Sequence, residues 1–141
     1  MAGTNGIDAA TAALIVAAMN GGTAVTFPTP HKVRFNTTQR TANDGADTQW
    51  ATGGGYTGGT TTAAGATGPT WAAATSGSTG GSQASSSAVT VTNAPAGTWD
   101  GCTVFDNVPK ATWYAKLATA KTVNAGDTVT VPSGQLTTAL G

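Results

Sequence analysis

The sequence predicts an all-β fold: a compact antiparallel β-sandwich or flattened barrel, with one short N-terminal helix and a long loop rich in Thr, Gly and Ala. In residues 88–140, short runs alternate apolar and polar residues, and each run ends at a Gly, Pro or Asn turn. Charged residues make up 9% of the chain and glutamate is absent, although helix surfaces normally rely on Glu, Lys and Arg. At 141 residues, the chain fits a single domain.

Residues 5–20 are the segment that is predicted to form the helix. Asn5 can act as the N-cap, Asp8 follows it three residues later as in a capping box, and Gly21 and Gly22 can end the helix. One side of the helix is expected to be apolar and to carry Ile7, Thr11, Leu14, Ile15 and Ala18. The opposite side is mostly alanine, so the helix can pack closely either on its own core or against another subunit.

Two strands are expected next, over Ala24–Phe27 and Lys32–Asn36. Pro28 and Pro30 separate them, and because proline lacks a backbone donor this corner cannot lie inside a sheet. The composition of residues 37–81 then predicts an extended loop.

Three large aromatic residues interrupt that loop, namely Trp50, Tyr56 and Trp71. Such rings favour burial, so we expect an ordered, meandering loop that gains order from the rest of the chain or from neighbours. Short strands are expected near Trp50–Thr52 and Thr70–Ala74.

The C-terminal strands supply most of the predicted core. Residues 112–118 alternate so that Trp113 and Leu117 lie on one face while Tyr114 and Lys116 lie on the other. The residues predicted to point inward are Val89, Val91, Phe105, Trp113, Leu117, Val129, Val131 and Leu136.

Charge disfavours two classes of partner. Six basic residues balance six acidic ones, so no net charge attracts the chain to nucleic acid or to an anionic membrane surface, and neither is predicted as a partner. The longest apolar run, Ala9–Met19, is too short to cross a bilayer. A neutral surface fits a subunit of an assembly, and it fits a Thr-rich soluble protein equally well.

No set of residues predicts catalysis, a metal site or a cofactor. Cys102 is the single cysteine and is interpreted as a small buried hydrophobe, and His31 as an exposed corner residue. Asp44 and Asp47 resemble a fragment of a calcium loop without its remaining ligands. Asp127 suits a turn. Asp100 and Asp106 flank one strand and are therefore too far apart for a glycosidase pair.

The aromatic residues leave two interpretations open. Trp50, Tyr56, Trp71 and Trp99 could stack on sugars, but core and interface roles are commoner for tryptophan in a small β protein and are favoured here. Gly53 to Gly55 lack the Lys-Ser or Lys-Thr of a phosphate loop.

The order of segments resembles a group of small bacteriophage virion proteins that are labelled tail-fibre, head-fibre or minor capsid proteins. The resemblance rests on the Ala-rich helix, the strand Lys32–Asn36, the Ala96-Gly97-Thr98-Trp99 segment and, most specifically, residues 121–128 (KTVNAGDT) before a final strand. It implies a β-sandwich that attaches to the particle and has no catalytic residues. The long Thr/Gly/Ala region departs from the group.

We therefore expect a structural virion protein rather than an enzyme, located on the capsid exterior as a decoration or minor capsid subunit. Its expected partners are the major capsid protein and sister copies. The alternatives are a minor tail or tail-fibre component and a carbohydrate-binding adhesion module that recognises a host surface glycan. The residues expected at an assembly interface are Ile7, Leu14, Ile15, Trp50, Tyr56 and Trp71.

Overall fold

The computed structural model describes residues 5–25, 31–42, 44–54, 56, 75–77, 80–105 and 111–140. Strands dominate these ranges, so the predicted all-β class is confirmed. In chain order the elements are β1 (Asn5–Ile7), α1 (Ala9–Met19), β2 (Lys32–Thr38), β3 (Thr48–Gln49), β4 (Thr75–Gly77), β5 (Gly80–Ala84), β6 (Val89–Val91), β7 (Gly97–Phe105), β8 (Ala111–Val123), β9 (Val129–Val131) and β10 (Thr137–Leu140).

The strands form three open antiparallel sheets. The largest has the order β1-β8-β7-β2-β3, a second has the order β10-β5-β4, and β6 pairs with β9 in a two-stranded ribbon. No closed barrel forms among the described strands, so the flattened-barrel alternative is wrong.

One hydrophobic core joins the large sheet to the ribbon. Phe35 of β2 lies at its centre, fully buried, with its ring centroid 5.4 Å from that of Trp50, 5.5 Å from that of Trp99 and 6.2 Å from that of Tyr56. The valines of the ribbon belong to the same buried cluster, because the alternation in β6 and β9 points every second side chain inward. These valines are Val89, Val91, Val129 and Val131.

The predicted inward set is confirmed as buried with one exception, since Trp113 is only half-buried at the edge of the core. Phe105 is buried on the opposite face of the sheet, where the Arg34 guanidinium lies 4.6 Å from its ring centre. Tyr114, predicted to point away from the core, is also buried. The large sheet is therefore covered on both faces, and a simple alternation of buried and exposed positions does not apply to β7 and β8.

The N-terminal segment differs from its prediction. Its first residues form β1, which pairs with β8 so that Gly6 lies opposite Tyr114. The Gly6 backbone packs so closely on that ring that a Cβ would collide with the hydroxyl. The helix therefore begins at Ala9, where the Asp8 carboxylate caps it by accepting a hydrogen bond from the Ala10 N–H (3.0 Å).

Other boundaries in the middle of the chain also move. The strand predicted to end at Asn36 continues to Thr38, and the short strand expected near Trp50–Thr52 lies instead at Thr48–Gln49. Ala24 and Val25 are not in a strand, and Thr26 and Phe27 lie outside the described residues. The strand expected over Thr70–Ala74, with Trp71 in it, is also outside them.

We predict that Phe35→Ala lowers the free energy of unfolding by about 3–5 kcal/mol, because it removes a buried ring on which three other rings pack. Denaturant unfolding followed by tryptophan fluorescence measures this change. Trp113→Ala is the matched aromatic control and should cost less, since Trp113 is half-buried. A larger loss in the Trp113 variant would contradict this description of the core.

Candidate functional site

The most elaborate arrangement of polar side chains lies on the second face of the large sheet. β2 alternates Val33 and Phe35 on the core face with Arg34 and Asn36 on this one. The segment after β2 then folds back over the strands and brings Asp47 onto them. We call this arrangement the Asp47 network; its members are Arg34, Asn36, Gln39, Arg40, Asp47 and Thr103.

The Asp47 carboxylate is the centre of the network, and its side chain has no exposed surface. Its Oδ1 accepts hydrogen bonds from the Gln39 side chain (2.7 Å) and from the Arg40 backbone N–H (2.9 Å). Its Oδ2 accepts from Arg34 (3.1 Å), from Arg40 at Nε (3.0 Å) and a terminal nitrogen (2.9 Å), and from the Thr103 hydroxyl (2.8 Å). All of its lone pairs are therefore engaged.

Hydrogen bonds among the other members complete the network. The Asn36 side-chain amide donates to the Gln39 side-chain oxygen Oε1 (2.7 Å) and to the Thr103 hydroxyl (2.9 Å). The Arg34 Nε donates to the Asn36 side-chain oxygen Oδ1 (3.1 Å). Because buried polar groups are costly unless they are satisfied, these bonds are what allow polar side chains to cover this face.

Two further ion pairs extend the network. A terminal nitrogen of Arg40 donates to the Asp8 carboxylate (3.0 Å), so the residue that caps α1 is also bound to the covered face. Lys116 of β8 pairs with Asp100 of β7, and the Gln39 backbone N–H donates to the same Asp100 oxygen (2.8 Å).

The contacts of these two carboxylates lower the pKa of both Asp47 and Asp100. Burial alone would raise the pKa of the Asp47 carboxyl, but hydrogen bonds from Arg40 and Thr103 and the Arg40 charge outweigh burial and hold it below its usual value. The pKa of Asp100 is lowered in the same way: burial opposes the shift, and Lys116 and the Gln39 N–H produce it. Both carboxylates thus stay ionised and occupied, which suits a structural role.

The remaining candidates for chemistry are also accounted for. Cys102 is fully buried, and burial raises the pKa of its thiol to about 12, so the prediction of a small buried hydrophobe is confirmed. His31 is half-buried, with its ring edge-on to Trp113 at 6.2 Å, rather than exposed as predicted. Asp127 accepts from the Asn124 backbone N–H (2.8 Å) as its turn requires. Asp106 lies outside the described residues.

The ranges that the structure describes contain no group of three His, Cys, Asp or Glu side chains that could hold a metal ion. Asp47 in particular has no lone pair to offer, because two arginines occupy its oxygens, and Asp44 is exposed beside it. The fragment that resembles a calcium loop is therefore explained by the Asp47 network.

The aromatic residues considered for sugar stacking or for an assembly interface belong to the buried core where the structure describes them. Trp50 and Tyr56 are 2% and 1% exposed and pack against Phe35, so neither presents a face to a sugar or a neighbouring subunit. Their polar atoms are used internally: the Trp50 indole N–H donates to the Thr98 carbonyl (2.6 Å), and the Tyr56 hydroxyl accepts from the Phe35 N–H (3.1 Å). Trp71 lies outside the described residues.

Trp99 is mainly a core residue but also lines an open cleft of about 600 Å³, here called the Trp99 cleft. Its apolar floor consists of Trp99, Leu117 and Val131, and its rim includes Thr119, Lys121 and Gln135. The cleft lies where the pairing of β7 with β8 shifts: Trp99 pairs with Lys121 but Gly101 with Lys116, so β8 bulges between them.

The outer side of α1 is the second unoccupied surface. Thr11 is the buried residue of the helix, and Ile7 and Ile15 are half-buried. Leu14, Val16 and Met19, by contrast, are 40%, 56% and 80% exposed. At 11 residues, α1 falls short of a bilayer-spanning length, and no other described segment forms a helix that could span one.

Sequence reasoning missed the Asp47 network, although the alternation of charged and apolar residues in β2 carried a signal for a polar second face. It named Leu14 and Ile15 for an interface but not Val16 and Met19, which are more exposed. No protein-family model, curated protein or solved structure matches the chain.

We predict that Asp47→Asn lowers the free energy of unfolding at pH 7 by about 3–5 kcal/mol, because it removes the anion between the part-buried Arg34 and Arg40 guanidinium groups, of which only Arg40 keeps a second carboxylate, that of Asp8. The pKa of the folded-state carboxyl is lowered, so its contribution is present above the unfolded-state value, near 3.8, and is lost as the pH falls through the folded-state value. The free energy of unfolding, measured with urea between pH 7 and pH 2, should therefore fall less steeply with decreasing pH in the variant than in the wild type.

Asp44→Asn is the control for that experiment, since Asp44 is an exposed carboxylate of the same segment. It should change stability by less than about 0.5 kcal/mol. Equal stability of the wild type and Asp47→Asn across the whole pH range would show that the network does not stabilise the fold.

Proposed function

We propose that the chain is a structural subunit of a bacteriophage particle, most specifically a decoration or minor capsid protein on the outer shell. The observation that carries the proposal is the helix α1, which is held on the fold at its N-terminus yet leaves Leu14, Val16 and Met19 in solvent. Large contiguous apolar patches are uncommon on monomeric proteins and mark interaction sites where they occur. The sequence resemblance to small virion proteins supplies the kind of assembly.

The distribution of charge supports the same proposal. The ionised side chains that the structure describes are concentrated in the Asp47 network and its two extensions, where they pair with one another. The exposed helix is free of charged residues over its whole length. Buried assembly surfaces are depleted in charge, so this surface can be covered by another subunit without the desolvation of an ion.

A carbohydrate-binding module is less well supported, because Trp50 and Tyr56 are needed by the core. Catalysis is not part of the proposal, since the buried carboxylates are held by arginine, lysine and threonine. A tail or tail-fibre component remains the alternative location within a particle. Copy number separates the two locations: a shell protein is present in hundreds of copies, and a minor tail protein in a handful.

We predict that quantitative mass spectrometry of purified particles finds this chain in hundreds of copies. Particles assembled without it should lose infectivity and release their genome at a lower temperature than complete particles, because a bound shell subunit stabilises the assembled state that it binds. Adding back the purified chain should restore the heat resistance. Heat resistance that does not depend on the chain would contradict a stabilising shell subunit, and absence of the chain from particles would contradict the virion proposal itself.

A further inference from the structure

We propose that Asn20, which caps the C-terminal end of α1, is a site of spontaneous deamidation in the folded chain. The reaction converts the uncharged end of this helix into an anionic one. The inference goes beyond the proposed function and does not depend on it, because it concerns the chemistry of a single copy. Of the seven asparagines in the sequence, Asn5 and Asn20 are the two that glycine follows directly, so they share the same local chemistry and differ in how the fold holds them.

The reaction needs only the two residues and water. The backbone nitrogen of the glycine attacks the side-chain carbon Cγ of the asparagine, a C–N bond forms, and Nδ2 leaves as ammonia with the proton that the glycine nitrogen gives up. Water then opens the resulting five-membered succinimide ring at either carbonyl carbon, which produces aspartate or isoaspartate. Glycine favours ring closure because it has no Cβ to hinder the approach of its nitrogen.

The surroundings of Asn20 leave room for this ring to close. Asn20 is exposed and lies just outside the regular helix, with φ −92° and ψ 24°. Gly21 is also exposed and has φ +84°. Among the described residues, none beyond its chain neighbours comes within 4 Å of the place where a Cβ of Gly21 would stand. The peptide between the two residues can therefore turn until the Gly21 nitrogen faces Cγ.

Two hydrogen bonds at the end of α1 oppose this turn. The Gly21 N–H donates to the Ala18 carbonyl at 3.3 Å, which is longer than the usual N–H···O distance of about 2.9–3.0 Å. The Asn20 side-chain Nδ2 donates to the Val16 carbonyl (3.0 Å) at an exposed position. Both bonds belong to the end of a helix, where local opening costs a small part of the free energy of global unfolding.

The matching pair near the N-terminus is held much more firmly. Asn5 and Gly6 both lie in β1, where Asn5 is opposite Ala115 and Gly6 is opposite Tyr114 of β8. The Gly6 backbone packs directly on the Tyr114 ring. Turning the peptide between Asn5 and Gly6 would separate β1 from β8 and from that ring, which costs more than fraying of a helix end. The fold therefore protects Asn5 and leaves Asn20 open to the reaction.

Deamidation changes the interactions at the end of α1. The Asn20 amide donates to the Val16 carbonyl, whereas a carboxylate can only accept, so two oxygens would face each other where the hydrogen bond was. The new negative charge also lies at the C-terminal end of a helix, where the macrodipole disfavours an anion. Residues Ala9–Met19 carry no charge. The reaction therefore loosens the last turn and places a charge beside the exposed Met19.

Ageing of the purified full-length chain tests the site. Samples are held at mildly alkaline pH, because the attacking nitrogen must lose its proton, and are analysed at intervals by peptide mass spectrometry, in which fragment spectra assign each conversion to Asn5 or Asn20. In the folded chain Asn20 should convert at least about ten times faster than Asn5, a ratio that corresponds to about 1.4 kcal/mol in the free energy of local opening. Asn5 in the same sample is the matched control.

Two further samples show whether the fold causes the difference. In concentrated urea, Asn5 and Asn20 should convert at similar rates, since glycine follows both. Asn20→Gln lengthens the side chain so that a five-membered ring cannot form, and it should remove the acidic product that isoelectric focusing detects in the aged wild type. A smaller ratio in the folded chain, no conversion of Asn20 until the chain is unfolded, or a ratio that persists in urea would each overturn the assignment.

Hydrogen exchange tests the effect on the helix. The backbone amides of the last turn of α1 should exchange about two- to fivefold faster in Asn20→Asp than in Asn20→Ala, because both variants lose the side-chain hydrogen bond to Val16 and only the first adds a charge. Equal exchange in the two variants would show that the charge does not loosen the end of α1.

Discussion

The rest of the structure depends on the placement of one carboxylate, that of Asp47, between two arginines on the second face of the large sheet. Without it, the Arg34 guanidinium, the Gln39 side-chain amide and the Thr103 hydroxyl would lose the acceptor that they share on that face. Arg40 transmits the same constraint to the N-terminus through its ion pair with Asp8, which caps α1. A single acidic residue in a loop thus fixes how the loop covers the strands and where the helix begins.

The network also contains a large share of the few charged residues of the chain. The chain has six basic and six acidic residues, and half of these twelve side chains belong to the network and its two extensions: Asp8, Arg34, Arg40, Asp47, Asp100 and Lys116. The remaining surface is therefore even less charged than composition suggests. This arrangement keeps the ion pairs part-buried against the sheet, where solvent screening is weaker than at exposed positions, and leaves α1 free of charge.

The sequence predicted what depends on local periodicity and missed what depends on distant contacts. The valines of β6 and β9 were predicted to be buried because a two-residue alternation fixes their face in any antiparallel pair. Burial of Tyr114 depends instead on Gly6 of β1, which packs on its ring, and on Arg40 of the segment after β2, whose guanidinium lies 5.6 Å from the ring centre; no local pattern encodes either contact. Asn5 and Asp8 are equally suitable caps by type, and strand pairing of β1 and the Arg40 ion pair select Asp8.

The same distinction explains the two candidate surfaces. An alanine-rich helix with an apolar outer side could be read from the sequence, whereas the Trp99 cleft arises from a shift of pairing within β8 that leaves no trace in its residue pattern. Asp8 and β1 hold α1 by its N-terminal end, so its apolar side is not required to hold the helix in place. A helix with a fixed position loses little conformational freedom when a partner covers it. A neighbouring subunit can therefore bind this helix without the cost of ordering it.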